Sequence, residues 1–240
     1  KIAGKKFIRG AGAVNTERRA WVTLLTGDSY NNTLMIGTQL KSIRQVSEYD
    51  HITMVLPSVS DDTRSYLSSI GTNVMEVLPI YPPETIENWL YDDVFSKLHI
   101  WNLTHYDQVT FLDADTFLFG DGHKGDQIFQ ICDQDFCGSE RKEQNRRTQE
   151  EPDGLWINTG VMVVRPSKQK FNYLINTRLP KGMTNPVYLE EGFISEVLLD
   201  PSQPLGTYNL LDWRYNTCSE QYFDKIHQCV SSTNSSLYKY

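Results

Sequence analysis

The sequence predicts a single α/β domain built on a mostly parallel sheet. Short apolar runs that end in turn residues alternate with stretches of helical spacing through the first half of the chain. The 240 residues, 39% hydrophobic and 22% charged, suit one large globular domain better than two small ones. No internal repeat and no low-complexity tract interrupts the pattern.

Residues 1–19 open on a basic, glycine-rich stretch and are read as a linker or appended end; residues 20–240 are read as the folded domain, ending early at its carboxyl side. Trp21 to Leu25 is an apolar run stopped by Thr26-Gly27-Asp28, a buried strand followed by a turn. From about Asn32 to Val46, Ile36, Leu40 and Ile43 share a helical face. Ile52 to Leu56 is a second strand stopped by Pro57. Ser60 to Ile70 reads as a helix with Gly71 at its stop position. Val74 to Ile80 is a third strand, broken by Pro82-Pro83. Val94, Leu98 and Trp101 give helical spacing up to Leu103, and Gln108 to Leu112 is a fourth strand with Asp113 at its carboxyl end. Later, Gly160 to Val164 reads as a strand, with helices near Lys168 to Asn176 and Leu189 to Leu199.

Strands alternating with helices imply right-handed crossovers, and such sheets bind ligands beyond the carboxyl ends of their strands. Thr26-Gly27-Asp28 and Asp113-Ala114-Asp115 meet at that edge, where a nucleotide could be held between them.

The net charge of −7 argues against a nucleic-acid partner, which needs a basic field. The one basic cluster, Arg141, Lys142, Arg146 and Arg147, sits among Glu and Gln and reads as a solvated loop. No apolar run reaches the roughly 20 residues of a membrane span. Cys132 and Cys137, and Cys218 and Cys229, are locally close, which allows two disulfides or four buried thiols; no CxxC or His/Cys spacing suggests zinc. With sequons at Asn31, Asn102 and Asn234, the even cysteine count tilts the reading toward a Golgi or secretory-pathway lumen, the alternative being the cytoplasm.

The chemistry concentrates in Phe111-Leu112-Asp113-Ala114-Asp115-Thr116-Phe117. Two carboxylates separated by one small residue, after an apolar strand, can converge on a hard cation such as Mn²⁺ or Mg²⁺, which shares oxygen ligands with substrate phosphates. Haloacid-dehalogenase-type phosphatases also place an aspartate pair after a strand, as DxDx[TV]. Here the fifth position is Phe117, and the strand follows three others rather than lying early in the domain.

Three blocks carry a family resemblance. They are Trp21-Val22-Thr23-Leu24-Leu25-Thr26-Gly27-Asp28-Ser29-Tyr30; Lys97-Leu98-His99-Ile100-Trp101-Asn102-Leu103-Thr104 leading through Tyr106 to Asp113-Ala114-Asp115; and Ile157-Asn158-Thr159-Gly160-Val161-Met162-Val163-Val164 with Pro166-Ser167. In order and spacing, from about Ala20 to Asn216, the chain resembles the glycogenin-like branch of glycosyltransferase family 8. The resemblance implies a GT-A-type fold and a retaining transfer of a hexose, glucose by expectation, from a UDP-sugar to an acceptor hydroxyl. It implies that Leu24, Thr26 and Tyr30 line the uridine pocket, that Asp113 and Asp115 bind Mn²⁺ or Mg²⁺, and that Ala114 approaches the ribose. Lys97 would meet the donor phosphate or sugar, and Asn158 the transferred sugar. The acceptor, whether glycan, protein or lipid, is not indicated; a homodimer is the expected assembly.

Three departures stand out. Family members carry an Asp-Gln pair against the sugar; the counterpart here is Glu190-Glu191, read either as that pair or as a helix start favoured by its dipole. Relatives place an Arg before the Lys97 position, and none occurs between Ser65 and Glu140. Relatives also end on a His-x-x-Gly-x-x-Lys-Pro-Trp motif whose His completes the metal site; His227 does not begin one, so the motif is either cut off or replaced by water. These departures sustain an alternative, a catalytically impaired nucleotide-sugar-binding domain or scaffold subunit.

Overall fold

The computed structural model describes residues 17–82, 89–119, 125–140, 156–182, 189–200, 206–212, 215–218 and 236–239. The basic stretch at 141–147, the Asn234 sequon, His227 and the expected Cys218–Cys229 pairing lie outside the described residues and side chains.

The first half follows the alternation expected. Strand β1 (Arg19–Leu25), helix α1 (Tyr30–Arg44), β2 (Asp50–Val55), α2 (Asp61–Ser69) and β3 (Asn73–Glu76) form two consecutive crossovers. Ser29 and Ser60 cap α1 and α2, their hydroxyls accepting from the Asn32 and Thr63 amides. Gly71 takes the stop position after α2 at φ +94°, a conformation that costs a residue with a Cβ dearly. A 3-10 helix, Trp89–Asn102, then leads to β4 (Gln108–Leu112), β5 (Thr116–Phe119), α3 (Gln127–Ile131), β6 (Phe136–Glu140) and β7 (Ile157–Val164). Helix α4 (Lys168–Tyr173) runs into a π turn, and α5 (Leu189–Leu199), β8 (Tyr208–Leu211), β9 (Thr217–Cys218) and β10 (Ser236–Lys239) follow.

Seven strands form the main sheet in the order β3-β2-β1-β4-β7-β6-β8, and β5-β10-β9 form a small second sheet. Strands β3, β2, β1 and β4 are parallel; β7 runs antiparallel to both β4 and β6, and β6 is parallel to β8. The expected mostly parallel sheet is therefore present, with one reversed strand inside it. The chain steps from β1 outward to β3 and then returns to the other side of β1 as β4, so the switch point lies between β1 and β4.

Several element boundaries correct the sequence reading. The third strand ends at Glu76 rather than Ile80: after the Val77 amide bonds the Val55 carbonyl, the chain turns to the 3-10 helix, with the Leu78 carbonyl 2.8 Å from His99 Nε2 and the Ile80 amide donating to Ser96 at 3.0 Å. The helix through Lys97 is 3-10, and its period of three places Phe95, Leu98 and Trp101 in one buried row. Strand β7 begins at Ile157, so Asn158 and Thr159 belong to the strand rather than to a preceding turn. Cys132 and Cys137 are bridged by a disulfide.

The largest core cluster joins the sheet to the 3-10 helix and α5 through Val22, Met54, Phe95, Trp101, Phe111 and Phe193. A second, around Trp21, Phe129 and Val163, packs α3 against the opposite face. Together they fix the carboxyl edge of β1 and β4, where the candidate site lies.

Candidate functional site

Asp113, Ala114 and Asp115 form the turn between β4 and β5. Both strands are anchored close to the turn: the Asp113 amide donates to the Gly160 carbonyl of β7, and the Thr116 amide donates back to the Asp113 carbonyl, each at 2.9 Å. All three turn residues are partly exposed, while Leu112 and Thr116 on either side are buried. Ala114 packs on the cluster of Leu25, Ile36, Val55, Val59 and Leu67, so the turn lies against the end of β1 and helix α1.

Lys97 reaches this turn from the 3-10 helix. Its ammonium is buried and donates to Glu190 Oε1 at 2.8 Å and to Asp113 Oδ1 at 3.2 Å. It also donates to Thr159 Oγ1 at 3.2 Å, and Thr159 passes its own hydroxyl hydrogen to Glu190 Oε1 at 3.2 Å. The Phe111 ring lies 5.2 Å from the ammonium. Burial alone would depress the Lys97 pKa, but Asp113 and Glu190 hold it above its ordinary value of 10.5, so the group is charged at neutral pH.

Glu190 and Glu191 occupy the first turn of α5. Leu189, just before them, has φ 46°, a left-handed conformation that costs an ordinary residue about 1 kcal/mol and turns the chain into the helix at this point. Glu191 Oε1 accepts from the Thr159 amide at 3.3 Å, and its carbonyl accepts from Ser195, whose oxygen in turn accepts from the Ile157 amide at 2.9 Å. Thus the start of α5 is laced to the start of β7. Asn158 Oδ1 accepts from the Gly160 amide at 2.9 Å and from Asn216 Nδ2 at 2.6 Å, which fixes its orientation.

Seven of the ten site residues expected from sequence fall into two groups; of the rest, Ala114 and Asp115 lie in the turn after β4 and Asn158 on β7 beside Thr159. Lys97, Asp113, Glu190 and Glu191 converge through Thr159, a connector the sequence reading missed because a strand threonine carries no signal of its own. Leu24, Thr26 and Tyr30 lie along the end of β1 and the start of α1. Leu24 is half-buried against the main core, the Thr26 carbonyl accepts from Ser58 at 2.6 Å, and the Tyr30 ring is 79% exposed and open to stack on a planar ligand. Asp28 accepts from the Ser60 amide and hydroxyl and so ties this end of β1 to α2; these bonds, the backbone amide first, hold its carboxyl below the usual range.

Among the described residues of this site, Asp113, Asp115, Glu190 and Glu191 are four formal negative charges, and Lys97 ion-pairs with two of them, Asp113 and Glu190. Such an edge repels an anionic ligand unless a cation accompanies it. Asp113 and Asp115 present hard oxygen donors, which fit Mn²⁺ or Mg²⁺. No group of three or more His, Cys, Asp or Glu that could hold a metal is found among the described residues. Two carboxylates fit an ion whose remaining ligands are phosphate oxygens and water.

No protein-family model matches the sequence. Curated relatives include inositol phosphorylceramide glucuronosyltransferase 1 of Arabidopsis thaliana, 28% identical over 196 residues. They also include galactinol synthase 2 of the same plant, 27% identical over 251 residues. The matches cover 80% and 91% of the chain; they span 32% of the glucuronosyltransferase and 73% of the galactinol synthase. Among solved structures, the galactosyltransferase LgtC, in complex with donor and acceptor sugar analogs, superposes with a TM-score of 0.60 at 12% identity, over 92% of this chain and 86% of that one. The glycosyltransferase GlyE of Streptococcus pneumoniae TIGR4 gives 0.52 at 17%, over 93% and 55%. The expected GT-A-type fold and the resemblance to family 8 glycosyltransferases agree with these findings: the relatives in sequence and the neighbours in fold are glycosyltransferases.

Proposed function

We propose that this relative of glycosyltransferases transfers a hexose from a UDP-sugar to an acceptor hydroxyl, with a divalent metal held by Asp113 and Asp115. The observation that supports this most is the excess of carboxylates at the switch point. An acidic edge beside a diphosphate-bearing donor requires a bridging cation, and the aspartate pair is built on a turn anchored from three sides.

A bound Mn²⁺ or Mg²⁺ would neutralise charge on the leaving diphosphate. The protein's own residues would do the rest. Tyr30 would stack on the uracil, and Leu24 and Thr26 would border it. Lys97, held charged by Asp113 and Glu190, would meet the negative charge that grows on the departing phosphate oxygen, and a preformed ammonium costs little reorganisation. Asn158, oriented by Gly160 and Asn216, would bond the sugar being moved. In the retaining route that the resemblance implies, the acceptor attacks from the face that UDP leaves, so the departing phosphate takes the acceptor proton.

Glucose is the donor sugar we infer. The relatives are named for a glucuronosyl transfer and for galactinol synthesis, so the test compares UDP-glucose, UDP-galactose and UDP-glucuronic acid. UDP release in the presence of Mn²⁺ should be fastest with UDP-glucose and should vanish on chelation; faster release from either of the others would overturn the inferred sugar. No release from any of them, with UDP still bound, would instead support a nucleotide-sugar-binding domain without turnover.

A further inference from the structure

Gln39 belongs to α1, yet its side chain is wholly buried. Its amide nitrogen donates one hydrogen to the Asp113 carbonyl at 2.8 Å and the other to the Thr116 carbonyl at 2.9 Å. These two carbonyls stand at the two feet of the Asp113-Ala114-Asp115 turn. One turn further along α1, Ser42 donates to the Gln39 carbonyl at 2.7 Å and accepts from the Leu118 amide at 3.1 Å. Helix α1 therefore grips the turn and the first residues of β5 along a single polar seam.

Both Gln39 hydrogens are committed to carbonyls, so its Oε1 must accept. It faces His51 Nε2 at 3.3 Å, and Nδ1 of the same ring lies 2.7 Å from Thr72 Oγ1, whose single hydroxyl hydrogen also has the His51 carbonyl within reach at 3.1 Å. Thr53 lies 2.9 Å from Thr72 and completes the chain. Burial, with Arg44 nearby, pushes the His51 pKa down to about 4, so the ring is neutral at physiological pH.

We propose that Gln39 is a positioning residue for the metal-binding turn: by clamping the carbonyls of Asp113 and Thr116 it sets the spacing of the two aspartate side chains before any ligand arrives. The proposal rests on the reading of Asp113 and Asp115 as metal ligands. A side-chain amide on both backbone feet restrains the turn where its own hydrogen bond, Thr116 amide to Asp113 carbonyl, closes only one side. Partners that orient ligand-bearing groups commonly affect metal affinity by roughly 10- to 100-fold.

The test measures the Mn²⁺ concentration that half-saturates the enhancement of UDP binding, by calorimetry, in the wild type, Gln39→Met and Leu174→Val. Met preserves the length of the side chain and removes both donors; Leu174→Val trims a buried core residue remote from the seam and controls for lost stability. Gln39→Met is expected to raise the half-saturating Mn²⁺ concentration about 10-fold, with UDP affinity in chelator unchanged, and saturating Mn²⁺ should restore UDP binding. Leu174→Val should leave the Mn²⁺ value where it is. If Gln39→Met does not fold, Gln39→Leu serves instead, since it likewise offers no donor to the two carbonyls. A wild-type Mn²⁺ value in the folded Gln39 variant overturns the proposal, because a residue that only supports the core would behave that way. A wild type whose UDP binding ignores Mn²⁺ overturns the metal reading itself and this proposal with it.

Discussion

Lys97 is where three elements meet: the 3-10 helix carries it, the β4–β5 turn offers Asp113, and α5 offers Glu190. Removing the ammonium leaves two nearby carboxylates facing each other with their shared cation gone. Lys97→Met should therefore destabilise the fold by about 3 kcal/mol in denaturant unfolding. It should also lower the turnover rate for UDP release more than it raises the Michaelis constant, because its contribution grows as charge develops. A change confined to the Michaelis constant would make Lys97 a plain binding residue. The charge of Lys97 contributes stability in full below its ordinary pKa of 10.5, and loses it only as pH rises through the higher folded value. Activity changes between pH 6 and 9 must then come from other groups.

Glu191 poses a sharper question at the same scale. Its Oε1 accepts from the Thr159 amide, a bond that the oxygen of a glutamine amide can make equally well. Glu191→Gln should keep the fold and remove one negative charge beside the proposed donor site. UDP release should be preserved or faster. A fall of more than 10-fold, as expected on losing a nucleophile or a group that stabilises a sugar cation, would assign Glu191 a direct role in the chemistry.

At the scale of elements, the seam between α1, β2 and the aspartate turn has its own pH signature. His51 is neutral in the fold, with its pKa depressed from 6.5 to about 4. As pH falls through 6.5 the unfolded chain binds a proton that the folded chain refuses, so stability is lost between pH 6.5 and about 4 and levels off below that. The loss should amount to about 3 kcal/mol at most. His51→Asn should flatten this slope of unfolding free energy against pH; an unchanged slope would mean that the titration belongs to other groups.

The elements differ in how plainly the residues announced them. Strands β1, β2 and β4 were legible because each is an apolar run cut by a turn or proline, and Asp113 was legible at the end of the last. The reversal of β7 was not, since Ile157 to Val164 has the same apolar character whichever way it pairs. The 3-10 helix was hidden because Leu98 and Trp101 satisfy a period of 3 as well as 3.6; only Phe95, in row with both, marks the tighter winding. Gln39 was missed although a signal existed. It sits three residues after Ile36 and four before Ile43, on the apolar face of α1, and a polar side chain there must find a buried partner. Asn158 was placed by family resemblance alone, and Tyr30 by resemblance and by its position just beyond the carboxyl end of the first strand; their local environments, an exposed ring and a fixed amide, are compatible with binding roles without assigning them.

For the molecule as a whole, topology and charge act together. The sheet order places the carboxyl ends of β1 and β4 side by side at the switch point, so the proposed base pocket and the aspartate pair share one edge. The net charge of −7 gives the protein no general attraction for a diphosphate. In the proposed mechanism donor binding depends on a local cation, and this dependence is its center. The most direct measurement is calorimetric binding of UDP to the wild type and to Asp115→Asn, each with Mn²⁺ and with chelator. The wild type should bind at least 10-fold more tightly with Mn²⁺, about 1.4 kcal/mol, and Asp115→Asn should lose most of that gain while keeping its chelator value. Equal UDP affinity for the wild type with Mn²⁺ and with chelator would contradict the account.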